Sequence, residues 1–222
     1  RQSALGGGAA VAGIVRQRLL AADAPLKGIA RSNQMRRERV VIVAEQDALR
    51  VTRDPGQPGR VLVDPADFGA DGTVSIADFE LSPDGSRLAY ALSDGGSDWT
   101  TWRIRDVATG TDLPEVLAGT KFTSVSWGRD GRGFYYSRYP SDSEGGYDDG
   151  RQVAVHFHVP GTPQAEDPLI HAVTDHPTRD PYATVTPDGR FLILNLEDGY
   201  LTNAVWYQRL GQDGSRTPAV RR

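Results

Sequence analysis

The sequence has no cysteine, which excludes a disulfide framework, a thiolate metal site and a cysteine nucleophile. It also has no run of about 18 apolar residues, the length needed for a membrane-spanning helix. Nor does positive charge dominate: 25 Lys and Arg residues stand against 29 Asp and Glu residues, giving a formal net charge of −4. We therefore expect neither nucleic acid nor an anionic membrane as a partner. These features leave the localisation open between cytoplasm and periplasm.

The chain also lacks the Gly-x-Ser-x-Gly pentad that places a serine nucleophile on a strand-to-helix turn. The nearest fragment is 95–99, Gly-Gly-Ser-Asp-Trp, which lies between two β-type runs. Ser97 in this fragment is predicted to cap a turn rather than to attack a carbonyl. No residue of this chain is therefore expected to be catalytic.

Two groups of side chains could in principle bind a metal ion. His156 and His158 are one residue apart on a predicted strand and so point to the same face, but no third ligand follows at a recognisable spacing. We favour the alternative of two half-exposed strand histidines. The acidic stretch 142–150 lacks the ligand order of an EF-hand loop, and a solvated inter-strand loop is the preferred interpretation. Neither a metal nor a cofactor is expected.

The composition changes along the chain. Residues 1–37 are rich in Ala, Gly and Arg and show no strand alternation. From residue 38 onward, short β-type runs alternate with clusters of Gly, Pro, Asp and Ser, which is typical of antiparallel sheets. We predict an atypical N-terminal segment over 1–37, either disordered or translated from a non-native frame, and an all-β domain over 38–222.

A repeated hairpin gives the architecture of the β domain. Three segments share the order strand, Asp-Gly turn, strand, and they occupy 81–90, 127–136 and 185–194. Their turn aspartates, Asp84, Asp130 and Asp188, are 46 and 58 positions apart. This spacing fits propeller blades of roughly 40–50 residues with loop insertions. Further strands are predicted at 100–107 and 204–210, which complete four-stranded units.

We therefore predict a partial β-propeller of about three to four four-stranded antiparallel blades. A closed propeller needs four or more blades, because each sheet buries its faces only against neighbouring sheets. The last blade is expected to leave an apolar flank open, as in a truncated chain or one that assembles with another component. An open flank predicts aggregation or the binding of a hydrophobic dye.

Several segments in order resemble the N-terminal propeller of the prolyl oligopeptidase family. These are Gly-Ser-Asp-Trp-Thr at 96–100, Asp-Leu-Pro-Glu-Val-Leu at 112–117, Lys-Phe-Thr-Ser-Val-Ser-Trp at 121–127 and the hairpin 185–194. Residues 157–167 are similar to the family's stretch aromatic-His-x-x-Gly-Thr-Pro-Gln-x-Glu-Asp. The resemblance covers roughly residues 39–210.

The resemblance implies a function that the residues alone do not reveal. In this family the propeller covers the active site of an α/β-hydrolase domain and restricts entry to short peptides, which a Ser-Asp-His triad cleaves after proline. Asp98 matches an aspartate that pairs with a substrate-side arginine of the hydrolase domain, and Phe122 matches an aromatic residue of a substrate subsite. The structural alternatives are that Asp98 caps its turn and that Phe122 belongs to a blade core.

Two hypotheses for function follow. The first is the gating, substrate-access portion of a proline-specific serine oligopeptidase, inactive alone because the hydrolase domain is absent from these residues. Its partners would be that domain and short proline-containing peptides. The second is a binding or scaffold propeller without enzymatic function, in which the Pro-Asp-Gly hairpins are generic blade turns. The positions of Asp98 and Phe122, on an open face or buried between blades, bear on the choice.

Overall fold

A computed structural model describes residues 41–45, 48–53, 59–69, 71–141, 146–147, 153–174, 179–198, 202–211 and 215–221. These residues all belong to one compact unit, Glu38–Arg222. The predicted N-terminal segment 1–37 lies outside the described residues, and so does all of the acidic loop 142–150 except Gly146 and Tyr147.

Strands dominate the described residues and form four antiparallel sheets, here named I to IV, in which consecutive strands are neighbours. Sheet I contains β1 (Val41–Glu45), β2 (Ala48–Thr52) and β3 (Arg60–Val63). Sheet II contains β4 (Val74–Leu81), β5 (Arg87–Asp94), β6 (Trp99–Asp106) and β7 (Leu117–Lys121). A short 3-10 helix, Pro65–Asp67, connects the two sheets.

The second half of the chain repeats the four-stranded unit twice. Sheet III contains β8 (Ser126–Trp127), β9 (Phe134–Arg138), β10 (Ala154–His158) and β11 (Leu169–Ala172). Sheet IV contains β12 (Arg179–Val185), β13 (Phe191–Asp198), β14 (Thr202–Arg209) and β15 (Val220–Arg221). A 3-10 helix, Gln164–Glu166, lies between β10 and β11. The prediction of an all-β chain with about three to four blade-like sheets is confirmed.

The three Asp-Gly turns join the first two strands of sheets II, III and IV. Their glycines adopt a positive φ, at 74° for Gly85, 68° for Gly131 and 70° for Gly189. The preceding aspartates do not; instead each carboxylate accepts a hydrogen bond from the backbone N–H two residues later, at 3.0–3.1 Å. Each position of the Asp-Gly pair therefore favours its residue type. Gly adopts the left-handed conformation without steric cost, and the Asp carboxylate holds the turn by its hydrogen bond.

Alternation along the strands places the core between sheets. On β5, Leu88, Tyr90 and Leu92 point to sheet I, whereas Ala89 and Ala91 point to sheet III. On β9, the same rule sends Phe134 and Tyr136 to sheet II and Tyr135 to sheet IV. Each of these eight side chains is at most 7% exposed. Sheets II and III therefore bury both faces, which explains why residues 88–92 of β5 and 134–136 of β9 are continuous apolar or aromatic runs.

Side chains also join neighbouring sheets through backbone carbonyls. Arg105 of sheet II donates to the carbonyl oxygen of Leu62 in sheet I. Trp127 Nε1 of sheet III donates to the carbonyl of Glu80 in sheet II at 3.2 Å. Ser137 Oγ of sheet III donates to the carbonyl of Pro181 in sheet IV at 2.5 Å. Each sheet interface thus has a directional bond in addition to its apolar packing.

Sheet IV carries apolar side chains on the face that points away from sheet III. Val205, Tyr207 and Val220 are 37%, 36% and 48% exposed. Together with Phe191 and Ile193 they line a groove of about 730 Å³. An exposed apolar patch of this kind favours association.

We predict that this face binds 1-anilinonaphthalene-8-sulfonate. The double substitution Val205→Thr and Tyr207→Thr should reduce the dye fluorescence, because it removes apolar area while keeping residues suited to strands. The measurement is a dye titration of both proteins, with thermal unfolding as the control for folding. A parent chain that does not enhance the fluorescence, or an enhancement unaltered by the substitutions, contradicts the prediction.

Candidate functional site

Asp98 and Phe122 lie at the same edge of sheet II. Asp98 is in the β5–β6 hairpin, and Phe122 directly follows β7. Because the strands are antiparallel and consecutive, β5 and β7 end at one edge, while the Pro-Asp-Gly turn after β4 lies at the other. We call the first edge the hairpin edge.

The side chain of Asp98 is exposed, and no hydrogen bond or ion pair joins it to any residue that the structure describes. The turn is held by its neighbour: Trp99 N–H donates to Ser97 Oγ at 3.1 Å, and Ser97 N–H donates to the Asp94 carbonyl at 3.0 Å. The prediction that Ser97 caps this turn is therefore confirmed. The alternative that Asp98 caps it is wrong, because the backbone N–H groups of this turn donate to Ser97 and Asp94 instead.

Phe122 is 67% exposed, so the alternative that it belongs to a blade core is wrong. Its φ is 53°, and among the described residues it is the one non-glycine residue with a positive φ. A left-handed conformation costs roughly 1–2 kcal/mol for a residue with a Cβ. Strain of this kind, unaccompanied by burial of the ring, is characteristic of functional positions.

Aromatic rings continue from Phe122 across the hairpin edge. Lys121 Nζ lies 5.4 Å from the centre of the Phe122 ring and 5.5 Å from that of Trp99, the residue opposite Lys121 in the strand register. Trp99 in turn contacts Tyr139 at 5.3 Å and Tyr147 at 5.7 Å between ring centres. The sequence analysis named Phe122 but not the rings that continue from it, because the contacts of Trp99 with Tyr139 and Tyr147 join segments about 40 positions or more apart.

The conformation of Phe122 leads to a prediction about stability. The substitution Phe122→Asn should stabilise the chain by about 0.5–1 kcal/mol, because Asn tolerates the left-handed conformation and the lost ring is mostly exposed. Urea unfolding of both proteins measures the difference. Destabilisation by Asn would show that the ring contributes to packing and would remove the argument from strain.

The corresponding edge of sheet IV, where β12 begins and β13 ends, carries negative charge. Asp180 and Glu197 are opposite each other on β12 and β13. Burial, together with the charge of Glu197, raises the pKa of Asp180 above its usual range. At the next positions Arg179 and Asp198 form an ion pair at 3.4 Å. The carboxylates give this edge an electrostatic preference for cationic or hydrogen-bond-donating groups.

Three polar residues of the 157–167 stretch, His158, Gln164 and Asp167, bond to other parts of the protein. The side chain of His158 is 0% exposed and its Nδ1 is 2.9 Å from Asp167 Oδ1, while its Nε2 is 3.6 Å from Glu115 Oε1. The sequence-based interpretation of His158 as half exposed is therefore wrong. That error has a physical cause: two carboxylates accompany the buried ring, and one of them, Glu115, is 43 positions away in the sequence.

The remaining polar residues of the stretch complete the same network. Gly161 N–H donates to Glu115 at 2.6 Å. The amide of Gln164 donates to the Ala118 carbonyl at 2.9 Å and accepts from the Ala118 N–H at 3.2 Å, so it pairs with the backbone of β7. Tyr136 donates to Asp167 at 2.6 Å, and burial followed by this hydrogen bond raises the pKa of the Tyr136 hydroxyl. The stretch therefore fastens sheet III to sheet II.

Removal of the central carboxylate tests this structural role. The substitution Asp167→Ala leaves both Tyr136 and His158 buried without their acceptor and should destabilise the chain by about 3 kcal/mol. The exposed neighbour provides the control, since Glu166→Ala should change the free energy of unfolding by less than about 0.5 kcal/mol. Chemical denaturation gives both values. Equal effects of the two substitutions would refute the assignment.

No cluster of three or more His, Asp or Glu side chains suited to a metal ion occurs in the described part of the chain. Within the same ranges, the structure contains no helix whose length and apolar character would let it cross a bilayer.

Consecutive antiparallel sheets that pack face to face and follow one another along the chain define a β-propeller domain. The sequence model of the prolyl oligopeptidase N-terminal β-propeller domain matches residues 31–222. The chain belongs to this family.

Individual relatives agree with that assignment. Prolyl endopeptidase of Elizabethkingia meningoseptica is 35% identical over 170 residues, which cover 76% of this chain and 24% of the relative. Prolyl oligopeptidase A of Amanita bisporigera is 30% identical over 195 residues, which cover 79% of this chain and 26% of the relative. The chain thus spans about a quarter of the length of these relatives.

A solved structure gives the same result. Prolyl oligopeptidase B from Galerina marginata, bound to a 35mer hydrolysis and macrocyclization substrate, superposes with a TM-score of 0.69 at 27% identity. The match covers 79% of this chain and 27% of that one. The roles of Asp98 and Phe122 are tested by none of these matches and stay predictions.

Proposed function

We propose that this chain is the gating, substrate-access portion of a proline-specific serine oligopeptidase. One observation carries the proposal: Asp98 and Phe122 lie together at the hairpin edge of sheet II. The carboxylate of Asp98 is exposed and has no partner among the described residues, and Phe122 is exposed and in a strained conformation. Neither Asp98 nor Phe122 has a structural role in the sheet, so both are available to an adjoining α/β-hydrolase domain and its substrate.

The proposed role of Asp98 is to pair with an arginine on the substrate side of the hydrolase domain. A carboxylate accepts two parallel hydrogen bonds from a guanidinium, which fixes orientation as well as supplying energy. Asp98 follows Gly95 and Gly96 in the β5–β6 hairpin. The two glycines make the reversal of the chain, with φ angles of 60° and 72°, and Ser97 closes the turn. The carboxylate is thus held at the surface by a turn that does not use it.

The proposed role of Phe122 is to offer apolar area to a side chain of a short proline-containing peptide. An aromatic ring provides much contact area with few rotatable bonds. Lys121 lies against the same ring and leaves most of it exposed. The prolyl oligopeptidase B structure contains a peptide substrate, and another similar structure, with a TM-score of 0.67 at 30% identity, concerns inter-domain dynamics in the catalysis and specificity of prolyl endopeptidases. Both support a propeller surface that meets substrate and a second domain.

We further propose that these 222 residues do not hydrolyse peptides by themselves. Acyl transfer by a serine peptidase needs a nucleophile and a base within hydrogen-bonding reach. The sequence has no Gly-x-Ser-x-Gly pentad, and Ser97 is engaged in its turn.

A chimera tests the proposal. This chain replaces the matched segment of the Elizabethkingia meningoseptica prolyl endopeptidase, and cleavage of a proline-containing chromogenic peptide is measured. We expect an active chimera. In it, Asp98→Asn lowers kcat/KM by about tenfold to a hundredfold, the magnitude of a lost charge-assisted hydrogen bond, and Phe122→Ala raises KM. The isolated chain should show no cleavage.

Asp130→Asn is the matched control, because Asp130 is exposed at the opposite edge and an asparagine oxygen can still accept from Arg132 N–H. Its chimera should retain the parent kcat/KM. Cleavage by the purified isolated chain, or a chimera in which Asp98→Asn behaves like the control, contradicts the proposal. A folded but inactive chimera favours the binding or scaffold propeller instead.

A further inference from the structure

A cleft of about 500 Å³ opens beside the hairpin edge of sheet II, on the face that points toward sheet I. This volume is within the range of small-molecule sites. Apolar and aromatic side chains form most of its walls, among them Phe68, Leu92, Trp99 and Tyr147. Arg103 on β6 provides the positive charge in the lining.

The strand β6 carries two arginines on this face, and they differ in their partners. Arg105 is fully engaged: its Nε is 2.6 Å from Asp112 Oδ1 and its Nη2 is 2.9 Å from Asp112 Oδ2, with a further bond to the Leu62 carbonyl. Arg103 forms no ion pair or hydrogen bond with any residue that the structure describes, and its Nε is buried. Its guanidinium lies 5.3 Å from the centre of the Phe68 ring.

A half-buried guanidinium carries a free-energy cost, because part of its hydration is lost and no carboxylate of the described residues is bonded to it. A ligand that accepts hydrogen bonds from the guanidinium would offset this cost. Asp94 is the negatively charged residue of the lining. Its carboxylate accepts a hydrogen bond from Thr73 Oγ1 at 2.6 Å rather than from Arg103. The unmet hydrogen-bonding capacity of the cleft is therefore that of a planar cation with two parallel donors.

We propose that this cleft binds the free C-terminal carboxylate of a short peptide whose last residue is apolar. The carboxylate accepts two hydrogen bonds from Nη1 and Nη2 of Arg103, since Nε is buried; a guanidinium is suited to this paired geometry. The apolar side chain lies between Phe68, Leu92 and Trp99. A lone guanidinium matches a monoanion better than a phosphate dianion, which generally calls for more than one cation. The site is separate from Asp98 and Phe122, which do not line the cleft.

The test is a thermodynamic cycle on the full 222-residue chain. N-acetyl-leucyl-phenylalanine and its C-terminal amide are titrated into the parent and into Arg103→Gln, with binding followed by calorimetry. We expect the acid to bind the parent at least tenfold more tightly than the amide does. Arg103→Gln should remove that difference while leaving the affinity for the amide unchanged, since the cycle isolates the carboxylate–guanidinium pair.

Two further variants locate the effect. Arg190→Gln, at an exposed arginine of sheet IV with 66% of its side chain accessible, should bind the acid like the parent. Trp99→Phe should abolish the change in tryptophan fluorescence that accompanies binding, because Trp99 lines the cleft. Circular dichroism of each variant verifies folding before titration.

Equal affinities of acid and amide, an unchanged preference in Arg103→Gln, or no saturable binding of either peptide at millimolar concentration would overturn the proposal. Tighter binding of inorganic phosphate than of the peptide acid would overturn the choice of ligand. The outcome is independent of the chimera experiment, because it needs neither a hydrolase domain nor catalysis.

Discussion

The burial of both faces of a sheet against its neighbours is the constraint on which the rest of this structure depends. A four-stranded antiparallel sheet has no core of its own, and the apolar clusters lie between successive sheets. The strand β5 shows the consequence most directly, since residues 88–92 are all buried and alternate between two interfaces. The exposed polar groups discussed above therefore lie at the two edges, where strands turn, whereas the polar groups between sheets are bonded to one another.

The two edges of sheet II are unlike. At the Pro-Asp-Gly edge the carboxylate of Asp84 is bonded to Ser82 and Ser86, and the glycine carries the positive φ. At the hairpin edge Asp98 has no such partner among the described residues, and Phe122 is left-handed in addition to Gly95 and Gly96. Hydrogen bonding and backbone conformation are as expected for the residue types at the Pro-Asp-Gly edge, and they depart from expectation at the hairpin edge, where we place the function. Such departures are expected at functional sites. Arg103 in the adjoining cleft, which has no hydrogen-bond or ion-pair partner within the described ranges, is a third departure.

The sequence was sufficient for features set by near neighbours. Strand alternation and Asp-Gly turns predicted the four-stranded units, and the resemblance led to Asp98 and Phe122, whose exposure the structure supplies and whose roles it does not test. Features that depend on distant residues were missed. His158 is buried with Asp167, from the β10–β11 connection of its own sheet, and with Glu115, which precedes β7 of sheet II. Arg103 and Arg105 are the same residue type on one strand, and only the reach of Asp112 to Arg105 distinguishes them.

The bonds between sheets have an evolutionary consequence. At each of the three interfaces a side chain of one sheet donates to a backbone carbonyl of the next, from Arg105 to Leu62, from Trp127 to Glu80 and from Ser137 to Pro181. Any residue supplies a carbonyl, so the accepting positions can diverge in sequence without loss of the bond, whereas the donors cannot. Substitutions are therefore expected to be restricted at the three donors and freer at the three accepting positions.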